Sequence, residues 1–252
     1  MPATMTPNRS LAMQLDPSLL MDAMGFTPDP WQRRVLRSRA ERMLLLAHRQ
    51  SGKSTCVSAL AIGTALFEPD SLVLLVSASQ RQSGELFRKV VRAYKALGSP
   101  IAAVEDSATT LALDNGSRVV SLPDSADTLV GFSAPRLVVI DEGARTSDET
   151  FLSVVPMLAV SRGRLVCMST PLGKRGWFYE AWEDRAATWE RVAFRASENP
   201  RLDPAFLAEQ RRILGERWYA QDFELSFEEA VGQVFSSESI NAAFDSTEAP
   251  LF

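Results

Sequence analysis

Short apolar runs without polar alternation mark the buried strands of this chain. They cover 43–47, 71–77, 137–140 and 165–168, and helical patterns follow the first two runs. Runs of this kind are typical of parallel strands that helices cover on both faces. The pattern therefore predicts an α/β fold in three α/β/α layers, with a mainly parallel central sheet.

Capping residues indicate further helices before and after this core. Asp-Pro pairs at 16–17, 29–30 and 203–204 each provide an N-cap and a proline suited to the first helical position. Gly215 divides the last helical segment, so residues 201–252 are expected to form a small helical lid beside a core of residues 1–200. Residues 1–15 are expected to be disordered.

A hairpin signal interrupts the α/β pattern. Residues 110–122 alternate around Asp114-Asn115-Gly116, a turn sequence whose two central residues are expected to have positive φ. Because alternation is typical of antiparallel strands, we expect a β-hairpin insertion that lies outside the parallel core.

The polar loop after the first strand has the pattern of a phosphate-binding loop. Gly52 allows backbone N–H groups to turn toward phosphate oxygens, and the following helix adds its positive N-terminus. Lys53 is expected to reach the β- and γ-phosphates, and Ser54 to bind a magnesium ion. Ala47 replaces the usual first glycine. The predicted nucleotide-binding loop comprises Arg49, Gln50, Ser51, Gly52, Lys53, Ser54 and Thr55.

Polar residues also follow the two later strands. Asp141, at the end of an apolar run, is expected to hold the magnesium ion, and Glu142 to orient or deprotonate the attacking water. Ser169 and Thr170 end the next run. Because ligands bind at the carboxyl ends of parallel strands, these two hydroxyls are expected to face the γ-phosphate or its water.

Composition limits the function only loosely. The chain has 252 residues, a formal net charge of −4 and two cysteines. This charge gives no overall attraction to nucleic acid, so DNA binding would require a local basic patch. Arg88, Arg92 and Lys95 share one face of a predicted helix and form either such a patch or a solvated surface. No apolar run is long enough to span a membrane, so we expect a soluble intracellular protein.

The combination of motifs resembles the ATPase domain of the large terminase subunit, the motor that packages DNA into the heads of tailed phages. The resemblance implies that Gln32, whose amide can donate and accept, lies near adenine. It also implies that Arg49 lies near the γ-phosphate, that Glu142 is the catalytic carboxylate, and that 169–171 couples hydrolysis to motion. The residues that carry it are Trp31-Gln32, 49–54, Asn115-Gly116, 138–142, 169–171 and 217–235.

We therefore expect ATP hydrolysis, with ATP and Mg²⁺ bound, to drive translocation of double-stranded DNA into a capsid. The resemblance implies a homo-oligomeric ring that acts with a portal protein and a small terminase subunit, in the host cytoplasm at the procapsid portal. Two alternatives are one ATPase domain of a superfamily-2-like helicase or other DNA-dependent ATPase, and a nucleotide-binding module that switches without turnover.

Two further expectations concern a nuclease and an arginine. Family members carry a C-terminal nuclease with an acidic metal cluster; because no such cluster follows Phe235, no nuclease activity is expected. Arg136 is a candidate catalytic residue. Since the strand that it precedes places it roughly 16 Å from its own magnesium site, it is either a surface arginine or a residue that serves a neighbouring subunit.

Overall fold

An eight-stranded sheet lies at the centre of the computed structural model, which describes residues 6–228. Its order is β3-β4-β5-β2-β6-β7-β1-β8; β3 and β4 are antiparallel to their neighbours, and all other pairs are parallel. The predicted mainly parallel sheet is confirmed. The strands are β1 (Arg42–Ala47), β2 (Leu72–Ser77), β3 (Ala103–Asp106), β4 (Thr110–Leu113), β5 (Arg118–Pro123), β6 (Leu137–Asp141), β7 (Arg164–Ser169) and β8 (Glu190–Phe194).

Helices cover both faces of this sheet. One layer contains α1 (Pro7–Leu15), α2 (Leu19–Ala23), α3 (Pro30–Arg37), α4 (Lys53–Phe67) and α5 (Gln80–Ala96). The opposite layer contains α6 (Ala126–Leu129), α7 (Asp148–Ser161) and α8 (Gly176–Glu183). Successive side chains of β1 alternate between the two layers: Met43 and Leu45 pack in the first, Leu44 and Leu46 in the second. This double burial explains why the strands read as continuous apolar runs.

The last described helix, α9 (Pro204–Asp222), is interrupted at Gly215, whose backbone is not helical. The interruption predicted at this glycine is confirmed. The segment 231–235, the rest of the predicted lid and the region where a nuclease would begin lie outside the described residues. Across residues 6–228, no helix is both long and apolar enough to cross a membrane.

The expected disorder of residues 1–15 is wrong for α1. Thr6 caps this helix by accepting a hydrogen bond from the Arg9 N–H, and Pro7 occupies its first turn. Met13 is buried in the first apolar layer. A single anchoring residue on a polar helix gives too weak a periodicity for the sequence to reveal it.

The hairpin prediction is correct in position and wrong in two details. Strand β5 pairs in parallel with β2 along its whole length, so it belongs to the parallel core rather than to an insertion. In the turn, Gly116 has positive φ but Asn115 does not. The Gly116 N–H bonds to the Leu113 carbonyl, which is the geometry of a three-residue turn ending in a left-handed glycine. The Asn115 amide holds the turn against α4 by donating to the Ala65 carbonyl.

Replacing Gly116 by alanine is predicted to lower the free energy of unfolding by roughly 1–2 kcal/mol, because an L-residue is strained at φ +83°. The new methyl group would also lie 2.1 Å from Asp70 Oδ1. Gly84→Ala is the matched control, because this glycine lies inside α5 with open space beside it. The change should raise the free energy of unfolding by at most about 1 kcal/mol. Chemical unfolding measures both, and equal effects would contradict the turn geometry.

Candidate active site

The phosphate loop joins β1 to α4 and is shaped by two residues with positive φ. Gln50 has φ 60° and Gly52 has φ 91°. A Cβ at position 52 would lie 2.9 Å from Nε2 of Gln32. Glycine is therefore required here both for its backbone conformation and because the Gln32 side chain packs directly against the loop.

Gln32 lies behind the loop, where it belongs to a chain of polar contacts. It is 4% exposed, and its Oε1 accepts a hydrogen bond from the Asp29 N–H at 2.8 Å. The Asp29 carboxylate in turn accepts two hydrogen bonds from Arg201, at 2.8 and 2.6 Å. The oxygen of the Gln32 amide is thus bonded within the protein, and this bond links the helix start at Asp29 to the phosphate loop.

Lys53 is buried at the start of α4 and faces back toward β1. Its Nζ donates to the carbonyls of Ala47, at 2.7 Å, and His48, at 3.2 Å. Burial lowers the pKa of Lys53, while the nearby carboxylates of Glu142 and Asp141 oppose this shift. The two carbonyl partners hold this buried ammonium in one position beside the loop.

The predicted acidic pair lies across the cavity from Lys53, at the end of β6. Burial, and next the adjacent Glu142 carboxylate, raise the pKa of Asp141 to about 6. Glu142 has a left-handed backbone with φ 54°, a conformation that costs a non-glycine residue about 1–3 kcal/mol and that clusters at functional sites. Two adjacent carboxylates at the rim of a cavity suit a divalent cation.

A cavity of about 400 Å³ brings most of the predicted residues together. The side chains that fit Mg²⁺ are Asp141 and Ser54, because carboxylate and hydroxyl oxygens are its preferred ligands. The residues that line this phosphate cavity are Arg49, Gln50, Ser51, Gly52, Lys53, Ser54, Lys89, Asp141 and Glu142.

Ser169 and Thr170 lie beside this cavity rather than in its lining. Ser169 is fully buried; its Oγ accepts from the Ala144 N–H at 3.2 Å and donates to the Thr170 carbonyl at 2.7 Å. The hydroxyl therefore connects the tip of β7 to the turn after Glu142. The expected contact of Ser169 and Thr170 with the γ-phosphate stays a prediction.

Arg49 lines the cavity and is paired with the last helix. Its Nε lies 3.1 Å from Oδ2 of Asp222, at the end of α9. The other oxygen of that carboxylate is buried without a hydrogen-bond partner. The loop arginine is thus bound to the predicted lid, a contact that no local sequence pattern indicates.

Lys89 is a cavity residue that sequence reasoning missed. It lies in the middle of α5, in the helix whose basic face was predicted, yet it lines the phosphate cavity. Of that predicted face, Arg88 pairs with Glu85 and Lys95 lies 3.9 Å from Asp106. The three residues of the face therefore do not form one unpaired basic patch.

Arg136 is not brought to the cavity. It precedes β6, at the opposite end of the strand from Asp141, and its guanidinium pairs with Glu68. The distant placement inferred from strand length agrees with this position. A catalytic role for Arg136 within its own subunit is therefore inconsistent with the structure.

The same fold occurs in solved structures of phage large terminases. The large terminase ATPase domain of Thermus phage P74-26 aligns with a TM-score of 0.70 and 21% identity, over 82% of this chain and 96% of that one. The bacteriophage HK97 large terminase aligns with a TM-score of 0.65 and 14% identity, over 79% of this chain and 50% of its own. At these identities the likeness establishes the fold alone.

Sequence comparison identifies the family. The large subunit of the terminase of Escherichia phage T5 is 24% identical over 224 residues, which cover 84% of this chain and 51% of that protein. This chain thus spans about half the length of its curated relative. The family model described as terminase large subunit, T4likevirus-type, N-terminal matches residues 44–242. Because that match covers well over half of the chain, the protein belongs to the T4likevirus-type terminase large subunit family, represented here by its N-terminal region.

Proposed function

We propose that this chain hydrolyses ATP to drive double-stranded DNA into a phage capsid. The observation that carries the proposal is the convergence of Lys53, Ser54, Asp141 and Glu142 on one cavity at the carboxyl ends of β1 and β6. An ammonium group, a hydroxyl and two carboxylates are the groups that phosphoryl transfer to water requires. Family membership supports the packaging role.

In the proposed reaction each group has one task. Lys53 binds the β- and γ-phosphates, and the backbone N–H groups of 50–54 surround them. Glu142 orients the attacking water and accepts its proton. Mg²⁺, held by Ser54 and Asp141, would neutralise charge on the phosphate oxygens. Arg49 adds positive charge at the γ-phosphate once it leaves Asp222.

Coupling to movement is proposed to run through two contacts. Arg49 joins the phosphate loop to α9, and Ser169 joins the tip of β7 to the turn after Glu142. Binding or loss of the γ-phosphate at the cavity would therefore act on α9 through Arg49 and on the tip of β7 through Ser169. We propose that this movement acts on double-stranded DNA within a homo-oligomeric ring, at a portal protein of the procapsid in the host cytoplasm, with a small terminase subunit as partner.

Glu142→Gln is predicted to reduce ATP turnover by roughly 10²–10⁴-fold while leaving ATP affinity nearly unchanged, because it removes the base and keeps the shape. Lys53→Ala should weaken both affinity and turnover, since it removes a phosphate ligand. Phosphate release and equilibrium nucleotide binding measure the two quantities separately.

Glu149→Gln is the control for this pair, because Glu149 is an exposed acid in the first turn of the neighbouring helix α7. It should retain normal turnover. Near-normal turnover of Glu142→Gln would remove Glu142 from its catalytic role, and ATP binding without turnover in the unaltered chain would favour the switching module instead.

Asp222→Asn is predicted to strengthen ATP binding roughly two- to fivefold, the range that an exposed ion pair contributes, because Arg49 becomes available to the phosphates. Glu216→Gln on the same helix is its control, because Glu216 forms an ion pair with Arg211 and not with Arg49. Titration with a fluorescent ATP analogue measures the change. An equal effect of both variants would show that Arg49 does not exchange partners.

Ring assembly predicts that ATP turnover per chain rises with chain concentration, and rises further when double-stranded DNA is added, because a neighbouring subunit completes the site. Steady-state phosphate release over a concentration series tests this, with Lys53→Ala as the inactive reference. Turnover that depends on DNA but is constant per chain would instead favour a monomeric DNA-dependent ATPase.

A further inference from the structure

His48, the single histidine of the chain, lies between the end of β1 and the phosphate loop. Its side chain has no task in the proposed reaction, yet the residue is only 2% exposed. Its backbone N–H donates to the Phe194 carbonyl of β8 at 3.1 Å, and its own carbonyl accepts from Lys53 Nζ at 3.2 Å. The backbone of His48 thus connects the edge strand β8 to the ammonium that is proposed to bind phosphate.

The ring of His48 is held by Asn199, which lies in the connector between β8 and α9. The Nδ2 atom of Asn199 is 3.2 Å from Nε2 of the ring, and both residues are buried. The ring also packs against Phe194, with 5.4 Å between the two ring centroids. The connector and β8 therefore fix the side chain of His48 as well as its backbone.

The contacts of Asn199 determine which ring nitrogen of His48 carries the proton. The backbone N–H of Arg201 lies 3.1 Å from Oδ1 of Asn199. Because a backbone N–H can only donate, this atom is the amide oxygen, and the amide NH₂ group faces His48. The NH₂ group donates to Nε2, which can accept only if it carries no proton. The neutral ring therefore has its proton on Nδ1.

The charges around the ring also favour its neutral form. Burial lowers the pKa of His48 most, and the positive charges of Lys53 and Arg201 lower it further. A hydrogen bond with the Arg49 backbone and the carboxylate of Glu224 act on this pKa in the opposite direction. A second proton, on Nε2, would point at the amide N–H of the connector, so protonation of the ring would break that contact.

We infer that Asn199 is a positioning residue of the phosphate site: it fixes His48 as the neutral ring protonated on Nδ1, and through the backbone of His48 it sets the position of Lys53. This inference rests on the proposed function, in which Lys53 binds the phosphates. A side chain of the connector thereby acts on the nucleotide without touching it. The consequence is that loss of Asn199 weakens nucleotide binding only where Lys53 is present.

Heteronuclear NMR of the unaltered chain, labelled at nitrogen, tests the state of the ring directly, because a single histidine gives a single pair of ring nitrogen signals. At neutral pH the proton is expected on Nδ1, and the pKa of His48 is expected below its ordinary value of 6.5. Asn199→Asp should place a proton on Nε2 and raise this pKa, because a carboxylate accepts and does not donate. A proton on Nε2 in the unaltered chain, or a mixture of the two tautomers, would overturn the inference.

Calorimetric titration with ATP and Mg²⁺ tests the effect on the phosphate site. Asn199→Ala should weaken ATP binding about three- to tenfold, the range that one hydrogen bond contributes. It should have no further effect in a chain that also carries Lys53→Ala, because the effects of residues that act through one another do not add. An equal loss of affinity in both backgrounds would show a merely structural role and overturn the inference, as would unchanged affinity in Asn199→Ala.

Asn115→Ala is the matched control, because the Asn115 amide also holds a turn by a hydrogen bond and is not among the described residues that line the phosphate cavity. It should leave the His48 signals and the ATP affinity unchanged. If Asn199→Ala does not fold, the tautomer of the unaltered chain still decides the inference. Absence of ATP binding in the unaltered chain would instead refute the proposed phosphate site, and it would leave the ring signals as expected.

Discussion

The parallel register of three strands is the constraint on which the candidate site depends. Strand β7 lies between β1 and β6, with Leu46 opposite Ser169 and Asp141 opposite Met168. The phosphate loop, the Ser169 hydroxyl and the Asp141 carboxylate therefore begin at one level of the sheet. Because the side chains of these strands pack into apolar layers on both faces, the strands cannot slip without exposing or misplacing a whole row of apolar residues. The rigid sheet thus fixes the separation between the phosphate loop, which carries Lys53, and the carboxylates of Asp141 and Glu142.

The fold and the centre of the site were predictable because their signals are local. Continuous apolar runs predicted the buried strands; Asp141-Glu142 follows one of them directly, and Gly52-Lys53-Ser54 follows another after the four residues 48–51. Asn115-Gly116 predicted the position of the hairpin, but the sequence did not indicate that its second strand, β5, belongs to the parallel core. That assignment depends on β5 pairing with β2, a contact between strands on either side of α5, and alternation along one strand does not reveal the direction of its neighbour.

The residues that were missed are joined by contacts between distant segments. In the sequence, Lys89 is one basic residue among several on α5, and only the packing of α5 beside α4 shows that it lines the phosphate cavity. The Arg49 contact with Asp222 joins positions far apart in the chain. Gln32 was singled out from the sequence for a place near adenine, which stays a prediction, and its hydrogen bond from the Asp29 N–H was not foreseen. Sequence periodicity places a side chain on a face but does not identify its partner.

The phosphate loop is braced from the C-terminal side as well as by the sheet. The Asn199 amide lies 3.2 Å from the His48 ring, and Arg201 binds Asp29, whose N–H is bonded to Gln32. Burial lowers the pKa of His48, which favours the neutral ring beside Lys53 and avoids a second positive charge there. The connector between β8 and α9 is thus tied to the base of the loop, while Arg49 ties its outer side to the end of α9. The end of α9 is also tied to that connector, because the Ala196 N–H donates to the Phe223 carbonyl. A phosphate that draws Arg49 away would therefore break the contact of α9 with the loop and keep its contact with the connector.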